Sequence, residues 1–401
     1  MKQFFYLLSI VVGVALFSSN AVAQPQKYEV GPLKVESRKA WEKVHRPKIY
    51  NFFLTEVFGR QPEKQPKPTY KTIAIDDKAL GGKAIRKEVA IQFEGMDEPM
   101  LVLMYIPHSH KPVPAFVGIN FKGNHQTTTD PAITISKNAP KKSELGTDPE
   151  RGAAVSRWPL EMIVEAGYAV VTVYRGDIDP DFDDGFKNGV HQIFNSQNKP
   201  KADEWGTISA WAWGLSRVMD YIETDKLFDK KHVAVIGHSR LGKTALWAAA
   251  TDNRFAMAIS NDSGEGGAAL SSRRHGELIS DLNKKFPHWF CDNYNKYSDR
   301  EQDLMIDHHG LVALVAPRPV YVASATLDDW ADPEGEFLSA KYASSVWELY
   351  GKKGLKSESQ PKPEQPDNDG WVGYHLRTGK HDITAYDWAQ YIKFANQHFG
   401  K

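Results

Sequence analysis

The stretch Lys231-His-Val-Ala-Val-Ile-Gly-His-Ser-Arg-Leu-Gly-Lys-Thr-Ala-Leu-Trp-Ala-Ala-Ala250 carries two periodicities. Residues 232–236 are nearly all apolar, as a strand buried on both faces of a parallel sheet requires. Residues 242–250 are rich in alanine and read as a helix. Between them stands Gly237-His238-Ser239, a sharp turn. A serine at such a turn is held in a strained backbone, with its hydroxyl exposed at the carboxyl edge of the sheet. The helix that follows points N–H donors at the same place, where an oxyanion can develop. Ser239 is therefore the candidate nucleophile. The pattern departs from G-x-S-x-G by one place, because Leu241 occupies the second glycine position and Gly242 follows it.

Outward from this motif the same alternation continues. A helical stripe (Ile208, Trp211, Leu215, Val218, Met219, Ile222) and helices near 242–250, 304–315, 335–349 and 385–398 alternate with apolar strands at 169–173, 233–236, 256–260 and 320–324. That rhythm means an α/β architecture, a mostly parallel sheet with helices on both faces. Nearer the N-terminus, short runs at 72–75, 84–93 and 99–106 have hairpin spacing and are expected to pair antiparallel at one edge. Residues 24–70 form a leading segment with a helical apolar stripe that Pro47 is expected to break. Residues 126–153 and 357–369 read as loop insertions. No repeat and no linker divides the chain, so residues 24–401 are expected to form one catalytic domain.

Lysine plus arginine and aspartate plus glutamate both number 50 in 401 residues, so no net field draws the chain to nucleic acid. With 41% hydrophobic residues, disordered and fibrous classes drop out. Lys2, the apolar run 4–17 and Ala21-Val22-Ala23 read as a signal peptide over residues 1–23, cleaved after Ala23, which implies a periplasmic or secreted protein. No later run is long enough to insert in a membrane. Cys291 is the chain's one cysteine and is expected to be buried and inert.

A serine on such an elbow is followed in chain order by its acid and its histidine. His381, in Gly379-Lys-His-Asp382, sits before the last helix where that histidine belongs. His375 lies within a strand pattern and reads as structural, and His308 and His309 cannot share one ligand as helix neighbours. Two carboxylates can orient the imidazole: Asp328, after the strand ending at 324, and Asp262, after the strand ending at 260. Asp328 is favoured, with Asp262 as the alternative or assisting acid. Asp329 and Asp332 stand in reserve, with helix capping as their structural role. The acidic run 177–185 fails the calcium-loop test and reads as a structured loop. No His/Cys/carboxylate spacing argues for zinc, and no metal or cofactor is expected.

Gly237-His-Ser-Arg-Leu-Gly-Lys243 resembles the G-x-S-R-x-G-K signature of the glucuronoyl esterases, carbohydrate esterases that cleave esters of xylan glucuronic acid with lignin alcohols. Asn261-Asp-Ser-Gly264, Arg273-Arg-His-Gly-Glu277, Asp328-Asp-Trp-Ala-Asp-Pro-Glu-Gly335 and Gly379-Lys-His-Asp382 resemble bacterial members, so the likeness spans nearly all of residues 24–401. It implies an α/β-hydrolase fold with Ser239 as nucleophile, His381 as base and acid, and Asp328 or Asp262 as orienting carboxylate. Fungal members carry a glutamate where Asp262 stands, and the shorter side chain here favours Asp328. Arg240 is implied as oxyanion stabiliser. Lys243, Glu277 and Trp330 are implied as contacts to the uronate ring.

The function expected is a serine carboxylic-ester hydrolase acting on (4-O-methyl-)glucuronate esters of glucuronoxylan, with no obligate protein partner. The alternatives are an acetyl or feruloyl xylan esterase on the same fold, or a catalytically silent carbohydrate-binding protein.

Overall fold

The computed structural model describes residues 30–140, 150–194 and 201–401. The expected signal peptide lies outside them. The strands are β1 Thr69–Lys78, β2 Ala84–Gln92, β3 Met100–Pro107, β4 Val113–Asn120, β5 Ala169–Tyr174, β6 Phe228–His238, β7 Met257–Asn261, β8 Val320–Ala325 and β9 Val372–Arg377. They form one sheet in the order β1-β2-β3-β5-β4-β6-β7-β8-β9. The pairs β1/β2, β2/β3 and β3/β5 are antiparallel, and every pair from β5/β4 to β8/β9 is parallel. This is the α/β-hydrolase arrangement expected, a parallel sheet with antiparallel strands at its N-terminal edge.

Alternation along each strand sorts the core into two layers. Val233 and Val235 of β6 pack with Val320 and Val322 of β8 against the helices Thr207–Thr224, Arg240–Thr251 and Pro333–Glu348. Ala234 and Ile236 face the other way with Tyr321 and Ala323, against Leu160–Glu165 and Ala385–Phe399. Both faces of the sheet are thus covered, which is why its central strands read as continuous apolar runs.

Two expectations need correction. Pro47 does not break the leading helix, because helical backbone runs from 38 to 57. The preceding turn Trp41–His45 is π-helical, with the Arg46 N–H donating to the Trp41 carbonyl, and this widened turn gives the proline ring room. The helix expected over 304–315 forms only at His309–Ala313. Asp307 stops it from starting earlier: its carboxylate accepts from the backbone N–H groups of Ser271, Ser272 and His308 at 2.9, 3.0 and 2.7 Å.

No helix among the described residues is long and apolar enough to cross a membrane.

Candidate active site

Ser239 has φ 59° and ψ −132°, a conformation an L-residue adopts only under constraint. Its N–H donates to the Asn261 carbonyl at 2.8 Å, which ties the elbow to the end of β7. The motif glycines follow from close packing. A Cβ on Gly237 would lie 1.8 Å from the Leu241 carbonyl oxygen, and one on Gly242 would lie 2.9 Å from Ser263 Cβ. The second glycine is therefore needed where the helix meets the loop after β7, one place later than the usual pattern.

Ser239, Arg240, Lys243, Asp262, Glu277, Asp328, Trp330 and His381 line one pocket of about 430 Å³. They come from the carboxyl ends of four neighbouring strands, β6 to β9, and the loops that follow. His381 Nδ1 donates to Asp328 Oδ2 at 2.5 Å, with Asp328 buried and His381 half open to the pocket. Asp262 lies beside them: one ligand atom from each of Asp262, Asp328 and His381 lies within 4.8 Å of the others. Asp262 Oδ2 accepts from the Asp382 N–H at 3.2 Å and sits 3.7 Å from Arg377, while Oδ1 is buried without a partner. Burial, then the charges of Glu336 and Asp328, push the Asp262 carboxyl well above the usual range.

Two cations of the elbow helix, Lys243 and Arg240, reach the pocket. Lys243 Nζ donates to the Ser263 carbonyl at 2.5 Å and lies 3.7 Å from Glu277, whose other carboxylate oxygen accepts from the Trp330 indole at 3.2 Å. Burial holds the Lys243 ammonium below its ordinary range. The Arg240 guanidinium lies 4.6 Å from the ring centre of Trp289 and 5.1 Å from that of Phe286.

The residues read as structural do structural work. His375 bonds Tyr321 at 3.0 Å and Asp387 at 2.8 Å, wholly buried. Asp332 caps the Pro333–Glu348 helix through the Gly335 N–H, and Asp329 pairs with exposed His275. The acidic run 177–185 is a structured loop, but one of its carboxylates, Asp181, bonds Arg240 at 2.6 Å. Sequence reasoning missed Asp181 and the pocket residues Trp289, Phe286 and Lys285. Their one signal is the aromatic cluster Phe286, Trp289 and Phe290, which reads as core.

A family model described as glucuronyl esterase of fungi matches residues 153–351. A carbohydrate esterase from an unknown prokaryotic organism is 46% identical over 377 residues, 91% of this chain and 87% of that protein. The solved glucuronoyl esterase from Solibacter usitatus superposes with a TM-score of 0.86 at 44% identity, covering 93% of this chain and 98% of that one. The chain belongs to the glucuronoyl esterase family. Another solved relative, a promiscuous esterase of carbohydrate esterase family 15 from a marine bacterial metagenome, has a TM-score of 0.84 at 44% identity. The chain is thus a hydrolase of the carbohydrate esterases.

Proposed function

We propose that this enzyme hydrolyses esters of (4-O-methyl-)glucuronic acid, such as those linking glucuronoxylan to lignin alcohols, through an acyl-enzyme. The observation that carries the reading is one pocket in which Ser239 and the Asp328–His381 pair meet the Lys243–Glu277–Trp330 group. The first set supplies ester chemistry, and the second supplies charged and indole donors and a carboxylate acceptor for sugar oxygens. Relatives named 4-O-methyl-glucuronoyl methylesterase, including that of Wolfiporia cocos at 30% identity over 274 residues, support the same substrate class.

Ser239 Oγ attacks the C6 carbonyl as its proton passes to His381 Nε2, and the carbonyl electrons collect on an oxyanion. Arg240 and the first N–H groups of the Arg240–Thr251 helix stabilise that charge. The C–O bond to the alcohol then breaks, His381 returns the proton to the leaving oxygen, and water repeats the sequence on the acyl-enzyme. Asp328 holds the Nδ1–H and so the tautomer that leaves Nε2 free as base. The single sheet supports one catalytic domain, and the pattern of residues 1–23 supports export to periplasm or medium.

The test compares initial rates of the protein and its Ser239→Ala variant on benzyl glucuronate, methyl glucuronate and an acetylated sugar. Fast glucuronate hydrolysis, lost by ~10³-fold or more in the variant and with little deacetylation, is expected. Preference for the acetylated sugar would replace the substrate and keep the serine. No serine-dependent hydrolysis of any of them would sink the enzymatic reading.

A further inference from the structure

Asp181 lies far from Arg240 in sequence and belongs to no motif, yet its carboxylate is 4% exposed and saturated with donors. Oδ2 accepts from Arg240 at 2.6 Å and forms an ion pair with Arg175. Oδ1 receives the Trp289 indole N–H at 2.7 Å and His288 Nε2 at 3.1 Å. Burial holds His288 on the neutral side, so these last two donors are uncharged.

Two cations and one anion leave the cluster with one net positive charge. Asp181 therefore restrains Arg240 without cancelling the charge that an oxyanion would meet. The carboxylate fixes the guanidinium at one end, the Trp289 and Phe286 rings confine it laterally, and Arg240 Nε is buried with no partner inside the protein.

We infer that Asp181 is a positioning residue that holds the Arg240 guanidinium in place for the oxyanion, acting from outside the pocket through that one side chain. The inference rests on the serine-esterase reading above but not on its choice of acyl group, since every ester passes through the same oxyanion. Removing the carboxylate charge would leave Arg175 and Arg240 to repel each other across a weakly polarisable interior. Arg240 would then sample orientations that bind substrate without serving its transition state.

The experiment is a double-mutant cycle of Asp181→Asn and Arg240→Ala, with kcat and KM measured separately on benzyl glucuronate and Ser239→Ala as the blank. Asp181→Asn is expected to lower kcat by ~10- to 100-fold with KM changed less than about threefold. In the Arg240→Ala background the same substitution should change kcat by less than about twofold. An undiminished kcat in Asp181→Asn, or an equal loss in both backgrounds, would overturn the inference; the latter marks a merely structural role. Should Asp181→Asn not fold, His288→Phe removes one donor from Oδ1 while keeping the Trp289 and Phe286 rings, and its kcat loss must likewise shrink in the Arg240→Ala background or the inference fails. If wild type ignores glucuronates but cleaves another ester in a Ser239-dependent way, the cycle is run on that ester. Failure of the proposed substrate is thereby read separately from failure of the Asp181 role.

Discussion

Asp262 and Asp328 stand around one imidazole, and their surroundings suit them to different jobs. Asp328 faces Nδ1 directly, whereas Asp262 has one oxygen bonded to a backbone N–H and the other buried without a partner. Burial and two neighbouring carboxylates raise the Asp262 carboxyl and so disfavour its charged form, the form that stabilises an imidazolium. Asp328→Asn is therefore expected to lower kcat by ~10³-fold or more, as loss of an orienting aspartate does when the wrong tautomer results. Asp262→Asn should cost less than about tenfold, because Asp262 spends its bonded oxygen on the Asp382 N–H and makes no hydrogen bond to His381. Steady-state rates of the two variants decide it. Losses of equal size would mean that the two acids share the imidazole.

At the scale of elements, the loop after β7 is held by Glu336, from the first turn of the Pro333–Glu348 helix. Glu336 Oε1 accepts from the Ser263 and Gly264 N–H groups at 2.7 and 3.0 Å, and Oε2 accepts from the Ser324 hydroxyl at 2.6 Å. Burial nevertheless outweighs these donors and pushes its carboxyl from 4.5 up to about 7. A raised carboxyl is protonated more readily in the folded chain than in the unfolded one. Its stabilising contribution is thus complete below pH ~4.5 and is lost as pH rises through ~7, in all by about 3 kcal/mol. Gln can keep both sets of contacts, with Oε1 on the two N–H groups and Nε2 donating to Ser324. Glu336→Gln should match wild type near pH 5 and exceed it by up to about 3 kcal/mol at pH 8 in urea denaturation. Parallel stability curves for the two proteins would refute this. Nothing in the sequence marks Glu336, because a glutamate in a first helical turn reads as a solvated residue favoured by the helix dipole. The strand, elbow and helix around Ser239 were legible for the opposite reason, that two periodicities meet there with a glycine at the junction. The π-helical turn before Pro47 and the late start of the His309–Ala313 helix were illegible, since each depends on room or donors supplied by distant segments.

For the whole molecule, chain order told much: the elbow, the two acids and the histidine end successive strands β6, β7, β8 and β9, which are also neighbours in the sheet. What chain order could not tell is which side chains converge from outside that series, and the segment 286–294 is the main case. It brings Phe286 and Trp289 against Arg240, and it docks on the leading helix through Cys291, whose N–H donates to the Val57 carbonyl at 3.0 Å. Cys291 is buried, and burial pushes its thiol up to about 12. With no second cysteine in the chain, no internal disulfide can staple this segment, so packing and hydrogen bonds hold it, as a core of this size can. Two consequences follow from one cause. The thermal midpoint should be the same within about 1 °C with and without reductant. An aromatic disulfide reagent at pH 8 should find fewer than ~0.1 thiol per native chain and about one per chain in denaturant. Rapid labelling of the native protein would mean that residues 286–294 open on the time scale of the assay. In that event the rings beside Arg240 would not be fixed, and the guanidinium would have to be held by Asp181 alone.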